Sequence, residues 1–172
     1  MGKVKKSVLC AIFSALALIS FMIENLFPPL IVPGGRIGIS NIFILLAGII
    51  CGTSYGFLSL IIKSVLGSIF AGNISAILYS LPAGTIAYFI QIALVFYTKN
   101  ISVTAASVLG GVINACVQNA AFCLITGTTE YFIYIPYLAL LGVIGGAIVG
   151  ISVYIIIKII PQKAIGIKDQ TT

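Results

Sequence analysis

Long apolar segments, each about 20 residues and separated by short breaks, dominate this sequence. Hydrophobic residues make up 60% of its 172 residues and charged residues only 7%, whereas a soluble domain has about 25% charged residues. About 20 apolar residues form a helix that can cross a bilayer, and the alternating segments of about 10 residues typical of outer-membrane barrels are not visible. The sequence therefore predicts an all-α integral membrane protein.

Six transmembrane helices are predicted, in a single transmembrane domain over residues 1–172, because no boundary between two domains is visible. The second span is short, and the segment PPLIVPGG before it contains prolines and glycines that interrupt a helix. We expect this segment to fold in at the membrane face. The spans are placed at residues 7–27, 37–51, 54–71, 74–97, 101–125 and 133–160.

The lysines predict the orientation of the chain. With six spans, seven of them fall on one side of the membrane, which the positive-inside rule makes the cytoplasm. We therefore expect both termini to be cytoplasmic in a multi-pass protein of the bacterial plasma membrane. The net charge of +6 follows from this topology and does not indicate nucleic acid as a partner. The seven residues are Lys3, Lys5, Lys6, Lys99, Lys158, Lys163 and Lys168.

The residue types that catalysis and metal binding need are scarce. Histidine is absent, and the acidic residues are Glu24, Glu130 and Asp169. The four cysteines lie in or beside apolar runs without CxxC spacing, which favours buried hydrophobes over a metal site. The sequence therefore predicts no enzyme activity, no metal and no cofactor. It also contains no GxxxxGK[ST] phosphate-binding loop, so any ATP would be hydrolysed by another protein.

Lys63 is a charge inside an apolar run, and a lysine near the bilayer centre costs roughly 3 kcal/mol on insertion scales. It shares one helical stripe with Gly56, Ser59, Gly67 and Phe70. A second stripe, in span five, carries Ser107, Gly110, Gly111, Asn114, Gln118 and Ala121, with Cys116 and Cys123 facing away. Such polar stripes face protein or a water-filled cavity, because lipid satisfies no hydrogen bonds.

These stripes predict a binding site for a small molecule, neutral or anionic, between the outer halves of the helices. Interhelical hydrogen bonding, at about 0.6 kcal/mol per residue, is the structural alternative for any one amide. Lys63 itself has the alternative of an internally paired or snorkelling lysine. The candidate substrate-binding residues are Glu24, Arg36, Asn41, Lys63, Asn73, Tyr79, Asn114 and Gln118.

Span six carries two further patterns. Gly142, Gly146 and Gly150 are four residues apart, which predicts close packing against another helix. Aromatic residues at 131, 132, 134 and 137 lie at its outer rim. An interfacial aromatic belt is the favoured interpretation, and a lid that stacks on a ring-shaped ligand is the alternative.

Four segments carry a resemblance to a known family: GGRIGISNI, GTSYGF, IIKSVLGSIFAG and ILYSLPAG, which lie between Gly34 and Gly84. They resemble the Gx transporter family, often labelled component I of heptaprenyl diphosphate synthase. That family is similar to the substrate-binding S components of energy-coupling-factor (ECF) vitamin transporters. The similarity extends from Ala11 to about Gly150. Lys63 stands where the family pattern leads us to expect an arginine.

The resemblance implies an S component that captures a vitamin-like or isoprenoid or quinone-precursor molecule. Its partners would be a membrane-embedded T component and cytoplasmic ATPases. S components dock through an AxxxA pattern near the cytoplasmic end of the first span, which here matches Ala11 and Ala15. On a helical wheel these alanines lie roughly 160° from the face of Glu24. A helix of this same chain could also be their neighbour.

Other functions remain open at this point. The family label suggests a non-catalytic membrane subunit associated with polyprenyl diphosphate or menaquinone synthesis, since the sole aspartate, Asp169, cannot form aspartate-rich magnesium motifs. A flavin transporter subunit is a further alternative. A stand-alone carrier or channel is less favoured because no internal repeat is visible.

Overall fold

The structure, a computed structural model, describes residues 2–27, 37–98 and 101–160. These residues form helices joined by short turns, which confirms the predicted all-α fold. A short 3₁₀ helix, Thr129–Tyr134, precedes the last α-helix. The six α-helices are α1 (Lys3–Leu26), α2 (Asn41–Ile50), α3 (Thr53–Phe70), α4 (Ala76–Tyr97), α5 (Val103–Thr126) and α6 (Ile135–Ile159).

Within the described ranges, five helices are long and apolar enough to cross a membrane, and α2 is the exception. Its 10 residues span about 15 Å at 1.5 Å per residue, half of a hydrocarbon core of about 30 Å. Eight of those residues are buried, so α2 lies at the centre of the bundle. The six helices begin and end within four residues of the predicted spans.

The first and third helices run parallel to each other. Near the start of α1, the Cys10 thiol donates to the carbonyl oxygen of Tyr55 at 3.4 Å. Near its end, the ring of Phe21 packs so closely on Gly67 that a Cβ at position 67 would clash with it. Both helices therefore point the same way, and the chain between them must return across the bundle.

The return is made by α2 together with residues 37–40. Gly38 lies beside Glu24 at the end of α1, where its N–H donates to the carboxylate at 2.7 Å. Ten residues later, Gly48 packs directly on Gly56 of α3. Thus α2 runs antiparallel to both neighbours although it is half the length of a span. Residues 28–36, for which a fold-back was predicted, lie outside the described ranges.

The later helices alternate in direction. The Tyr88 hydroxyl of α4 donates to the carbonyl oxygen of Thr53 at the start of α3, at 2.8 Å. Gln91 near the end of α4 donates to Ser107 near the start of α5. The described ends of the chain, near Lys3 and Lys158, therefore lie at one end of the bundle, here called the lysine end, and the opposite end is the outer end. Placing the lysine end in the cytoplasm stays a prediction.

Glycines bring α5 and α6 into close contact, as predicted for span six. A Cβ on Gly146 would lie 2.6 Å from the carbonyl oxygen of Ser107, and one on Gly150 would lie 2.6 Å from the Cα of Thr104. Such spacing leaves no room for a side chain, so the three-glycine pattern is confirmed as a packing surface.

One prediction about a helix face was wrong. Phe70 lies on the α3 stripe but is 59% exposed, because the helix ends there and the stripe no longer has a neighbour. Cys123, predicted to face away from the polar stripe of α5, is only 2% exposed. Helix α5 is covered on more than one side, by α4, α6 and the 3₁₀ helix, so its buried surface is wider than one stripe.

Candidate functional site

A cavity of about 240 Å³ lies between the outer halves of α1, α3, α4 and α5 and the start of α2. We call it the outer chamber. At about 30 Å³ per water it would hold roughly eight waters. Among the described residues, all the candidate substrate-binding residues line it, and Arg36 lies outside the described ranges. The candidates in the wall are Glu24, Asn41, Lys63, Asn73, Tyr79, Asn114 and Gln118.

Lys63 reaches the chamber from the middle of α3. Its Nζ lies 3.5 Å from the Oδ1 of Asn41 and 5.0 Å from the centre of the Phe21 ring. The amide oxygen accepts a hydrogen bond from the ammonium, and the electron-rich ring face attracts it. These contacts hold the ammonium at the chamber wall, between α1 and α2.

Glu24 is tied to the backbone at the start of α2. One carboxylate oxygen accepts from the N–H of Gly38 at 2.7 Å and from the N–H of Ile39 at 3.1 Å. Charge-assisted bonds of this kind are roughly twice as strong as neutral ones. The observed task of Glu24 is therefore to hold residues 38–39 against α1, and its contact with a substrate stays a prediction.

Gly38 permits this tie through its backbone conformation. Its φ of +78° lies in the left-handed region, which glycine adopts without the steric cost that a Cβ brings. A Cβ there would also lie 2.9 Å from the side-chain nitrogen of Asn41. The glycine thus lets one turn connect Glu24 on α1 with Asn41, which in turn contacts Lys63.

Amide side chains form the opposite wall. Asn114 and Gln118 are four residues apart on α5 and both line the chamber. The described residues supply no hydrogen bond to either side chain. Each amide carries two donors and an acceptor, so this wall can recognise a polar ligand that carries no charge at that point.

Asn73 lies at the rim and is exposed. Its side-chain oxygen accepts from the Ser75 hydroxyl at 2.8 Å and from the N–H of Ala76 at 3.2 Å. These bonds cap the first turn of α4. The structure thus gives Asn73 a structural task at the edge of the chamber, and its role in binding stays a prediction.

Aromatic rings connect the chamber with the 3₁₀ helix. Tyr79 meets Phe122 edge to face with 5.4 Å between ring centres, and Phe122 meets Tyr131 in the same way at 5.3 Å. The side chain of Asn119 donates to the carbonyl oxygen of Tyr131 at 2.9 Å. Tyr131 therefore packs against α5, whereas Tyr137 is 58% exposed. The belt interpretation stays a prediction.

A narrower cavity lies beside the chamber and extends further toward the lysine end. This inner cleft, about 50 Å³, lies between α2, α4, α5 and α6 and is lined by Gln91 and Ser107. A void of about 30 Å³ adjoins Gln91. Asn41 and Asn114 line the chamber, the cleft and the void alike, so they mark the junction of the three.

Sequence reasoning missed Gln91 as a candidate. Its signal was available, because it is an amide inside an apolar run, as Asn114 and Gln118 are. Ser107 was placed on the polar stripe but was not selected as a site residue. Ser40, Ser64 and Ser80 also line the chamber, and serines of this kind are too common in membrane helices to stand out in a sequence.

Ala11 and Ala15 lie on the side of α1 that faces away from the bundle. Both are exposed, whereas Cys10, Ser14 and Ala17 form the buried face of α1. The hydroxyl of Ser14 donates to that of Ser59 on α3 at 2.8 Å and holds the helix in this orientation. In the described part of the chain, no other helix buries the two alanines.

Comparison with known families identifies the chain. The family model described as heptaprenyl diphosphate synthase component I matches residues 13–156. The chain belongs to this family. Comparison with curated proteins and with solved structures found no match. The family predicted from the glycine and asparagine pattern is thus confirmed, and the resemblance of this component I family member to ECF S components stays a prediction.

Proposed function

We propose that this protein is the substrate-binding membrane subunit, or S component, of an ECF-type transporter. The outer chamber is the observation that carries the proposal. It contains the Lys63 ammonium, which contacts Asn41 and the Phe21 ring, and the amides of Asn114 and Gln118, which have no hydrogen-bond partner among the described residues. Polar groups inside a membrane bundle are costly, and by default they mark a functional site. The chamber also lies at the outer end, where a molecule arriving from outside would enter.

The ligand is a small neutral or anionic molecule, either vitamin-like or an isoprenoid or quinone precursor. The Lys63 ammonium attracts an acidic group. The carboxylate of Glu24 does not oppose this strongly, because two backbone N–H groups already share its charge. The ring of Tyr79 and the amides of Asn114 and Gln118 provide apolar and polar contacts for the remainder of the molecule.

Ala11 and Ala15 form the docking face for the T component. Side chains this small permit close approach of another helix, and lipid gives no reason to prefer them over leucine. Their exposure favours a neighbour outside the described bundle over a helix of the same chain. Cytoplasmic ATPases would supply the energy, since the chain has no phosphate-binding loop.

The family description favours a second candidate function, a non-catalytic membrane subunit that works with a soluble polyprenyl diphosphate synthase. The same description would also suit a chamber that holds an isoprenoid or a menaquinone precursor. A flavin transporter subunit is a variant of the first function with a different ligand. Identification of the bound molecule and of the partner separates these three possibilities.

The experiment compares wild-type protein with Lys63→Met and Lys63→Arg. Each is purified in mild detergent, and small molecules are extracted and identified by mass spectrometry. We expect wild type and Lys63→Arg to retain a compound with an acidic group. Lys63→Met should bind that purified compound roughly 10- to 150-fold more weakly, the equivalent of the 1.5–3 kcal/mol of a charged hydrogen bond. It should fold normally, since it removes a half-buried charge.

Two results would argue against the proposal. One is a wild-type extract in which no compound is enriched over an extract of an unrelated membrane protein. The other is equal affinity in wild type and Lys63→Met, which would make Lys63 a structural residue.

A further inference from the structure

The inner cleft differs from the outer chamber in its charge. Glu24 and Lys63 line the chamber. The described residues that line the cleft and the adjoining void carry no charged side chain. Their polar side chains are all uncharged amides and hydroxyls: Asn41, Tyr79, Tyr88, Gln91, Ser107, Asn114, Gln118 and Asn119. A charged group would have no counter-ion there, whereas a neutral hydrogen-bonding group would have partners.

Ser107 gives this cleft an unused hydrogen-bonding group. The residue is 1% exposed, and its hydroxyl has no hydrogen-bond partner among the described residues. A buried hydroxyl without a partner costs about 1–3 kcal/mol. Its backbone carbonyl, in contrast, accepts from the side-chain nitrogen of Gln91 at 3.3 Å. A molecule in the cleft could therefore supply the hydrogen-bond partner that the Ser107 hydroxyl lacks.

The cleft extends beyond the chamber. Ser107 and Asn114, the chamber residue nearest to it on α5, are 7 residues apart, or about 10 Å along the helix. Both residues line the cleft, which therefore follows α5 over this distance. Its volume of about 50 Å³ suits a group the size of one or two waters.

We propose that Gln91 and Ser107 form a second subsite, which binds an uncharged hydroxyl, carbonyl or amide group of the ligand. This inference deepens the proposed function and rests on it. The ligand is then an elongated molecule. Its acidic group lies near Lys63 in the chamber, and its neutral polar group passes between Asn41 and Asn114 into the cleft. Molecules that are charged at both ends are excluded.

Cysteine modification tests the chemistry of the two cavities without knowledge of the ligand. All four native cysteines are replaced by alanine, and single cysteines are introduced by Ser107→Cys in the cleft and Ser80→Cys in the chamber. Two methanethiosulfonate reagents of similar length are compared in detergent, one delivering a neutral hydroxyethyl group and the other an anionic sulfonatoethyl group. Gln91→Cys is a second reporter in the cleft should Ser107→Cys fold poorly.

Ser68→Cys is the matched control. The Ser68 hydroxyl is as buried as that of Ser107 and likewise lacks a partner among the described residues, but it lines neither the chamber nor the cleft nor the void. We expect the neutral reagent to modify Ser107→Cys at least tenfold faster than Ser68→Cys. The neutral reagent should also modify Ser107→Cys at least tenfold faster than the anionic reagent does. Ser80→Cys should not show this preference.

Blocking the junction completes the test. Adding Asn114→Phe should slow modification of Ser107→Cys by the neutral reagent at least fivefold. The inference is overturned if Ser107→Cys reacts no faster than Ser68→Cys, if both reagents show the same preference in both cavities, or if Asn114→Phe has no effect. Since none of these rates involves Lys63 or a transported molecule, the subsite can fail while the Lys63 experiment still supports the proposed function.

Discussion

Replacing Glu24 by alanine removes the acceptor for the N–H groups of Gly38 and Ile39. Both bonds are made to one half-buried carboxylate oxygen, at 2.7 and 3.1 Å. A hydrogen bond to a charged group contributes about 1.5–3 kcal/mol. Because water can replace part of this at a half-buried site, we expect about 2.7 kcal/mol for the pair. The local opening equilibrium of residues 38–39 should then rise by roughly 100-fold.

Hydrogen exchange measures this opening directly. In purified protein, exchange of the amides at 38–39 should be about 100-fold faster in Glu24→Ala than in wild type. Glu24→Gln keeps an acceptor oxygen without the charge, so its exchange should lie between the two. Glu130→Ala is the control, because Glu130 lies in the 3₁₀ helix on a different connection. Exchange within twofold of wild type in Glu24→Ala would refute the tie between α1 and α2.

Other predictions concern packing, capping and orientation. In a denaturation assay, Gly146→Leu should lower the free energy of unfolding by about 3 kcal/mol or more, since α5 backbone occupies its Cβ position. In the same assay Gly84→Ala should be nearly neutral, because a Cβ there would meet a flexible side chain at 3.4 Å. Asn73→Ala should cost about 1 kcal/mol through loss of its cap, seen as a lower melting temperature. A cysteine introduced at Lys3 should react with impermeant reagents only in opened cells, whereas one introduced at Glu130 should react in intact cells. The reverse pattern would overturn the topology.

Much of the chamber could be predicted from the sequence because polar residues in a membrane helix have few acceptable places. Lys63, Asn114 and Gln118 each interrupt an otherwise apolar run, and each lines the chamber. The helical period then indicates which face turns inward. This reasoning works best where one stripe is polar and the remainder of the helix is apolar.

The tasks of individual residues were harder to predict. Glu24 and Asn73 were selected because they are polar, yet in the structure each accepts backbone N–H groups. Such bonds depend on where a turn passes, here the left-handed turn at Gly38, and no periodicity in the sequence locates it. The short length of α2 has the same origin, because the turn at residues 38–40 consumes part of the predicted span.

The inner cleft was missed for a different reason. Glycines of α5 and α6 line it together with Gln91 and Ser107, and the size of a gap between helices cannot be read from either helix alone. Gln91 is one amide in an apolar helix, which in a sequence fits interhelical hydrogen bonding equally well.

Copurification with a T component and its ATPases tests the central claim, that this chain is a transporter subunit, most directly. The chain is coexpressed with these partners as wild type, as Ala11→Trp with Ala15→Trp, and as Leu16→Trp. Leu16 is 38% exposed and lies about 100° around α1 from Ala15. We predict that wild type and Leu16→Trp copurify with the partners. The double variant should fold and retain its small molecule but should not copurify with the partners. Copurification of the double variant at the wild-type level, or none for the wild type, would contradict this account.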